Sequence, residues 1–271
     1  MSPHAEITAR LAAFFGVLLV MTLVELVVPR RKLSARKGPR WASNLALVVI
    51  NTLAARLVIP ITAVAAALSA EQRGWGLLHL VEWPAWLETV LAVVAFDLAI
   101  YAQHVAFHHV PLLWRVHLVH HADLDIDVTT GLRFHTFEIL LSALFKLVVV
   151  VILGPSALAV VIFEVLLNAT SMFSHSNVRL PLGLDRLLRL VIVTPDMHRV
   201  HHSVRRAETD SNFGFNLSWW DYLFRTYRAQ PADGHDGMTI GLDHLRDEHQ
   251  VDRLPGILAL PLRSGRGTID S

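Results

Sequence analysis

No cysteine occurs anywhere in the 271 residues. That absence excludes disulfides, thiolate-ligated haem, iron–sulfur clusters and cysteine-type zinc sites together. Any metal bound here is held by nitrogen and oxygen, a donor set suited to iron, zinc, copper or nickel. Charge is also scarce: 17% of residues are charged against 53% apolar, and the net charge is +1. The balance is shifted from the globular average toward the membrane class, and nothing in it favours nucleic acid as a partner. Three further patterns are missing. There is no Glu-x-x-His, the signature of soluble di-iron carboxylate bundles, and no Gly-rich dinucleotide fingerprint or haem-binding module.

Long apolar runs are present instead. Residues 7–28 are long enough to cross a bilayer and read as a retained span rather than a cleaved signal. The apolar core is too long, and no small-residue cleavage site follows. Next come Arg30, Arg31, Lys32, Arg36, Lys37 and Arg40 with no acid among them, marking a cytoplasmic loop. Residues 44–70 supply a second span, 71–86 an outer loop with Trp75, His79 and Trp83 as anchors, and 87–103 a third span. Two more runs, 137–153 and 156–173, are joined by Gly154-Pro155 and form a hairpin that enters and leaves on one face. Residues 187–193 are too few to span and lie along the interface.

The expected fold is all-α: a helical integral membrane protein of about three spans plus a helical hairpin, with a His-rich helical cap on the cytosolic side. Its regions are an N-terminal transmembrane part (1–94), a His-box catalytic region (95–228) containing the hairpin (137–173), and a polar C-terminal tail (229–271). The aromatic-rich stretch 213–227 fits an interfacial belt or core packing.

Eleven of the sixteen histidines fall between residues 104 and 202. They are spaced His104-x3-His108, His117-x2-His120-His121, His175, and His198-x2-His201-His202, with His109 and His135 between. Neutral imidazole is the commonest protein metal ligand. Positions i, i+3 and i+4 share a helix face, so each group can aim two or three nitrogens at one point. The expected topology puts all four groups on the same side of the membrane. A catalytic zinc needs three protein ligands and an iron facial triad needs two His and a carboxylate. Nine or ten imidazoles exceed both and fit two metals with four or five nitrogens each.

Two polar stripes run through apolar helices at i, i+4, i+7 and i+11: Asp97, Tyr101, His104, His108, and Glu164, Asn168, Ser171, His175. A carboxylate within a span is costly and points to function. Asp97, Glu164 and Asn168 are expected to orient ligand histidines or to line a polar cavity. The competing reading pairs each carboxylate with a buried cation such as Arg56. Asp123, Asp125 and Asp127 either contact the ligands or cap a helix. His4, His79, His235, His244 and His249 are assigned to packing or surface.

The ordered set HVAFH (104–108), HLVHH (117–121), RFHTFE (133–138), FSHSNVRLP (173–181), TPDMHRVHHS (194–203) and NFGFNLSWWDYLF (212–224) resembles the fatty acid hydroxylase/sterol desaturase superfamily of integral-membrane oxygenases. The resemblance covers about half the chain. It implies two non-haem iron ions as cofactors, with O2 as co-substrate. It also implies a metal centre on the cytoplasmic side, a lipid substrate from the bilayer, and hydroxylation or desaturation of a C–H bond. Lacking an electron-carrying module, the chain requires a separate electron-donor protein; the patch of Arg199, Arg205, Arg206, Arg225 and Arg228 fits its docking and equally fits anchoring to anionic lipid headgroups. Carried over by motif, the ligands are His104, His108, His117, His120, His121, His175, His198, His201 and His202. His135 is a further candidate although Thr136 replaces the proline common in relatives. Ser171 stands where some relatives carry a tenth histidine, a place that Asn168 or a water would fill. The alternative function is a His-rich membrane metal transporter or store, which requires polar groups continuing across the bilayer.

Overall fold

The computed structural model describes residues 3–263. Residues 264–271, the end of the expected tail, lie outside the described residues. Fourteen α-helices and two short 3-10 turns appear in order, with no strand among the described residues. The long helices are α1 (Pro3–Val27), α2 (Lys37–Val58), α4 (Ala85–His109), α6 (Thr136–Leu153) and α7 (Ala157–Ser174). With α3 (Ala63–Arg73) counted in one stretch with α2, five segments are long and apolar enough to cross a membrane. The chain is an integral membrane protein, all-helical over the described residues, and the helices of the expected spans and hairpin are present. Successive spans alternate in direction, so α1, α4 and α7 end where α2 and α6 begin.

The second apolar run is not one helix. Pro60 disfavours helical backbone at Ile59, which is extended (φ −115, ψ 95). Thr62 then caps a new helix by accepting from the Ala65 N–H. The small face of α3, Ala63, Ala66 and Ala67, packs on Phe96, Val150, Val160 and Phe163. This half-length helix seals the end of the bundle remote from the histidines.

At the other end sits a cap of short helices: α5 (Pro111–His121), α8 (Leu182–Leu188), α9 (Pro195–His201), α10 (Arg206–Thr209), α11 (Trp219–Leu223), α12 (Gly234–Gly237), α13 (Glu248–Val251) and α14 (Leu254–Arg263). Exposed Leu182, Leu184, Leu187, Leu190 and Val191 extend the apolar belt of the bundle onto the cap, as an interfacial segment does. Beyond residue 229 the chain is more than a polar tail. Ile257 and Leu260 of α14 are buried against Leu47, Leu118 and Val119, which closes the C-terminal segment over α5.

The loop after α5 is fixed by buried charge. The Arg40 guanidinium, fully enclosed, donates to Asp123 at 2.9 Å and also to Asp127. Asp125 instead accepts the Ala35 N–H at 2.6 Å, and Glu25 accepts the backbone N–H groups of Val128 and Asn177, each at 2.7 Å. The three aspartates therefore fasten α2 and the loop 28–36 to the cap, and none joins the histidines. Removing Arg40 strands two buried carboxylates, which typically costs about 3–5 kcal/mol. Arg40→Met is therefore expected to lower the unfolding midpoint of the detergent-solubilised protein sharply. An unchanged midpoint would show that the network carries no stability.

Candidate metal centre

Nine histidines converge in the cap, in two groups. His104, His108, His117, His121 and His201 form the first; His120, His175, His198 and His202 form the second. Within each group one ligand nitrogen per residue lies within 4.8 Å of all the others, and every one of these residues is buried. Helix geometry builds them. His104 and His108 lie one turn apart on α4, and His117 and His121 one turn apart on α5, which Pro111 starts at a position that needs no N–H. The middle member of each His-x2-His-His box crosses over: His120 leaves its neighbours for the second group, and His201 leaves its own for the first.

The hydrogen bonds fix which nitrogen faces inward. The Nδ1 of His104 meets the Phe213 carbonyl at 2.8 Å, and that of His201 the Ser211 carbonyl at 2.7 Å. His120 meets the Arg133 carbonyl at 3.1 Å and His175 the Ser171 carbonyl at 2.7 Å. A carbonyl only accepts, so in each neutral ring the proton is on Nδ1 and Nε2 holds a lone pair. Yet the Nε2 atoms of His175 and His120 stand 3.0 Å apart, and those of His201 and His104 3.1 Å apart. Two lone pairs facing each other at that distance repel. A cation between them removes the conflict: two nitrogens bound at ~2.1 Å and at right angles are about 3.0 Å apart. Buried Nε2 atoms of His108, His117, His121 and His202 have no hydrogen-bond partner among the described residues. Such orphans cost ~1–3 kcal/mol each unless something binds them. The donor set fits metal ions.

Burial in this low-dielectric cluster pushes imidazole protonation down, to about 4 for His175 and about 3 for His201. His120, His121, His198 and His202 are also driven well below the ordinary range, chiefly by burial and then by neighbouring imidazoles. The rings are thus held neutral, the form that binds metal.

Two carboxylates at the site were not singled out from the sequence. Glu138 accepts from His117 Nδ1 at 2.6 Å and Asp210 from His108 Nδ1 at 3.2 Å, the carboxylate–histidine arrangement that orients a metal ligand. Glu138 closes the RFHTFE box, so the signal was present; Asp210 sits in a polar loop with no pattern of its own. Asp97 acts at one remove. It accepts the N–H groups of Asn216 and Leu217 and the Trp220 indole N–H, pinning the loop whose Phe213 carbonyl holds His104.

Other expected residues are not brought to the clusters. Glu164 pairs with Lys146 and with Arg10 at 2.7 Å, and Asn168, exposed, donates to the Glu164 carbonyl. They share a helix face with His175, but Glu164 is eleven residues away, roughly 16 Å along the axis at 1.5 Å per residue. His135 caps α6 by accepting the Phe137 N–H, and its Nε2 lies 3.4 Å from the Leu258 carbonyl. Both of its nitrogens are engaged away from the clusters. Ser171 donates to the Gly131 carbonyl, so that position is structural here. Of the expected docking arginines, Arg199 is wholly buried on Asp196 and the Ser176 carbonyl, while Arg205 and Arg206 pair with Asp233 and Asp210.

Fold and site together define a membrane-embedded polyhistidine protein built to hold metal. The chain belongs to the fatty acid hydroxylase family, whose model matches residues 89–226. It is similar to the ornithine lipid hydroxylase of Rhizobium tropici, 30% identical over 150 residues covering 55% of this chain and 44% of that protein. It is also similar to human (Homo sapiens) alkylglycerol monooxygenase, 31% identical over 160 residues, 59% of this chain and 33% of that one. Rat (Rattus norvegicus) cholesterol 25-hydroxylase is 26% identical over 143 residues, 52% and 47%. The chain therefore spans less than half the length of each. No solved structure matches.

Two outcomes are expected. Glu138→Gln should weaken metal affinity ~10–100-fold, measured by chelator competition; affinity equal to wild type would remove Glu138 from the site. In the metal-free protein, His175 binds a proton less readily folded (about 4) than at its ordinary 6.5. The unfolded chain binds more protons across that window, so this group's contribution to stability is complete above pH 6.5 and is lost as pH falls toward about 4. Unfolding midpoints across pH 4–7 test the sign.

Proposed function

We propose that this protein is a membrane-bound oxygenase that uses O2 and two electrons to hydroxylate a C–H bond of a lipid, with the catalytic region in residues 95–228. The observation that carries this reading is the pair of buried polyhistidine clusters, with opposed Nε2 lone pairs, at one end of an apolar helical bundle. Five and four imidazoles match two iron ions with nitrogen-rich coordination, and desaturation is the neighbouring chemistry. Iron held there would supply the redox chemistry that activates dioxygen against an unreactive C–H bond.

The chain's own residues do the rest. Carbonyls of Phe213, Arg133, Ser171 and Ser211 hold the Nδ1 protons, as do the Glu138 and Asp210 carboxylates. This leaves Nε2 free as ligand and sets each ring's angle. Phe134 stacks on His120 at 4.6 Å, and Phe213 and Trp114 each stand 5.0 Å from His108. These rings exclude water, which protects a reactive site from side reactions. The basic segment from Arg30 to Arg40, a loop and the start of α2, packs on the cap, which supports a cytoplasmic metal site by the positive-inside rule. Electrons are assigned to a separate donor protein.

The names of the three relatives share hydroxylation or monooxygenation of a lipid, and that common part is what we carry over. Metal transport is the weaker reading, because Glu164, a carboxylate within the bundle, is occupied by Lys146 and Arg10.

The test is 18O2 labelling of membranes containing the full-length protein and a reducing system. Wild type is expected to place 18O in lipid hydroxyl groups. His120→Ala and His201→Ala should fall to background while still inserting into the membrane. Labelling of either variant at the wild-type level would refute the assignment.

A further inference from the structure

Away from the histidines, a pocket lies where α1 leaves the apolar bundle. It measures about 570 Å³ and is lined by Arg30, Arg31, Lys32 and Arg179 with Asp236 as its one carboxylate. Ordinary loop cations radiate into solvent. These are gathered from two segments about 150 residues apart by backbone pairing: the Arg30 N–H donates to the Asn177 carbonyl at 2.8 Å and the Arg179 N–H to the Val28 carbonyl at 2.9 Å.

Charge is left over in the pocket. Arg30 is held between Asp196 and Asp236. Arg31 donates only to the backbone carbonyls of His235 and Met238, and Arg179 only to the Arg30 carbonyl. Lys32 has no hydrogen-bond or ion-pair partner among the described residues, and both it and Arg179 are exposed. Three cations thus converge without a counter-charge. Apolar surface flanks the site on both sides: Val27, on α1, is 78% exposed and Leu182, on α8, is 68% exposed. Those side chains belong in hydrocarbon, which sets the pocket at headgroup depth.

We propose that this pocket binds a phosphate group presented by a lipid headgroup. Guanidinium forks match phosphate oxygens bidentately, and each cation near an anionic membrane surface adds attraction. The pocket is tied to the metal centre's framework: Asp196, which holds Arg30, lies in the first turn of α9, two residues before His198. The site does not depend on the oxygenase reading and stands or falls separately.

The experiment titrates detergent-purified full-length protein with dihexanoyl phosphatidate, dihexanoyl phosphatidylcholine and inorganic phosphate, reading bound ligand by native mass spectrometry. Saturable phosphatidate binding is expected, weakened at least tenfold in Lys32→Gln/Arg179→Gln and unchanged in Arg73→Gln, an exposed cation at the opposite end of the bundle. The paired variant removes only exposed charge, and an unchanged unfolding midpoint confirms its fold. Inorganic phosphate binding as tightly as phosphatidate would keep a phosphate site but overturn the lipid source. Phosphatidylcholine binding as tightly, wild-type affinity in the paired variant, or no binding of either anion would overturn the proposal.

Discussion

Everything in the cap serves one constraint: the inward nitrogen of each ligand histidine must be bare. A neutral imidazole has one proton, and the structure decides where it sits by offering an acceptor to Nδ1. Four backbone carbonyls and two carboxylates do this for six of the nine rings. The result is a buried chamber of facing lone pairs, unfavourable by itself and relieved by cations. Burial strengthens the same bias by keeping the rings unprotonated at neutral pH.

The acceptors must themselves be held, and buried charge holds them. Asp97, inside a span, fixes the 213–220 loop and so the carbonyl behind His104. Arg133, fully buried, reaches the Val119 carbonyl and Asn44, which sets its own carbonyl behind His120. Arg40 with Asp123 and Asp127 locks the loop from which Arg133 departs. Charges that looked catalytic from their setting thus act as scaffolding at one remove from the histidines. The phosphate pocket adds a contact with the membrane surface on the same cap.

Much of this was legible in the sequence because two periodicities carry it. Apolar run lengths gave three spans and a hairpin, the i, i+3, i+4 spacing gave the histidine groups, and the topology gave their shared side. What spacing could not show is how two boxes divide their ligands, since His120 and His201 cross over through loop and helix placement. Angular periodicity also misled: Glu164 and Asn168 share a face with His175 but not its depth, and Glu164 found Lys146 and Arg10 instead. Asp210 was invisible because a loop residue's partner is set by tertiary contact. The break at Pro60 was written in the sequence and is plain once the extended backbone before it is considered.

Nine histidines in two groups could hold two metal ions, and metal content per chain tests this most directly. Protein purified gently under reducing conditions and loaded with ferrous iron should carry two metal ions per chain. A single ion per chain, or none, would contradict the two-site account and leave the facing lone pairs without an explanation.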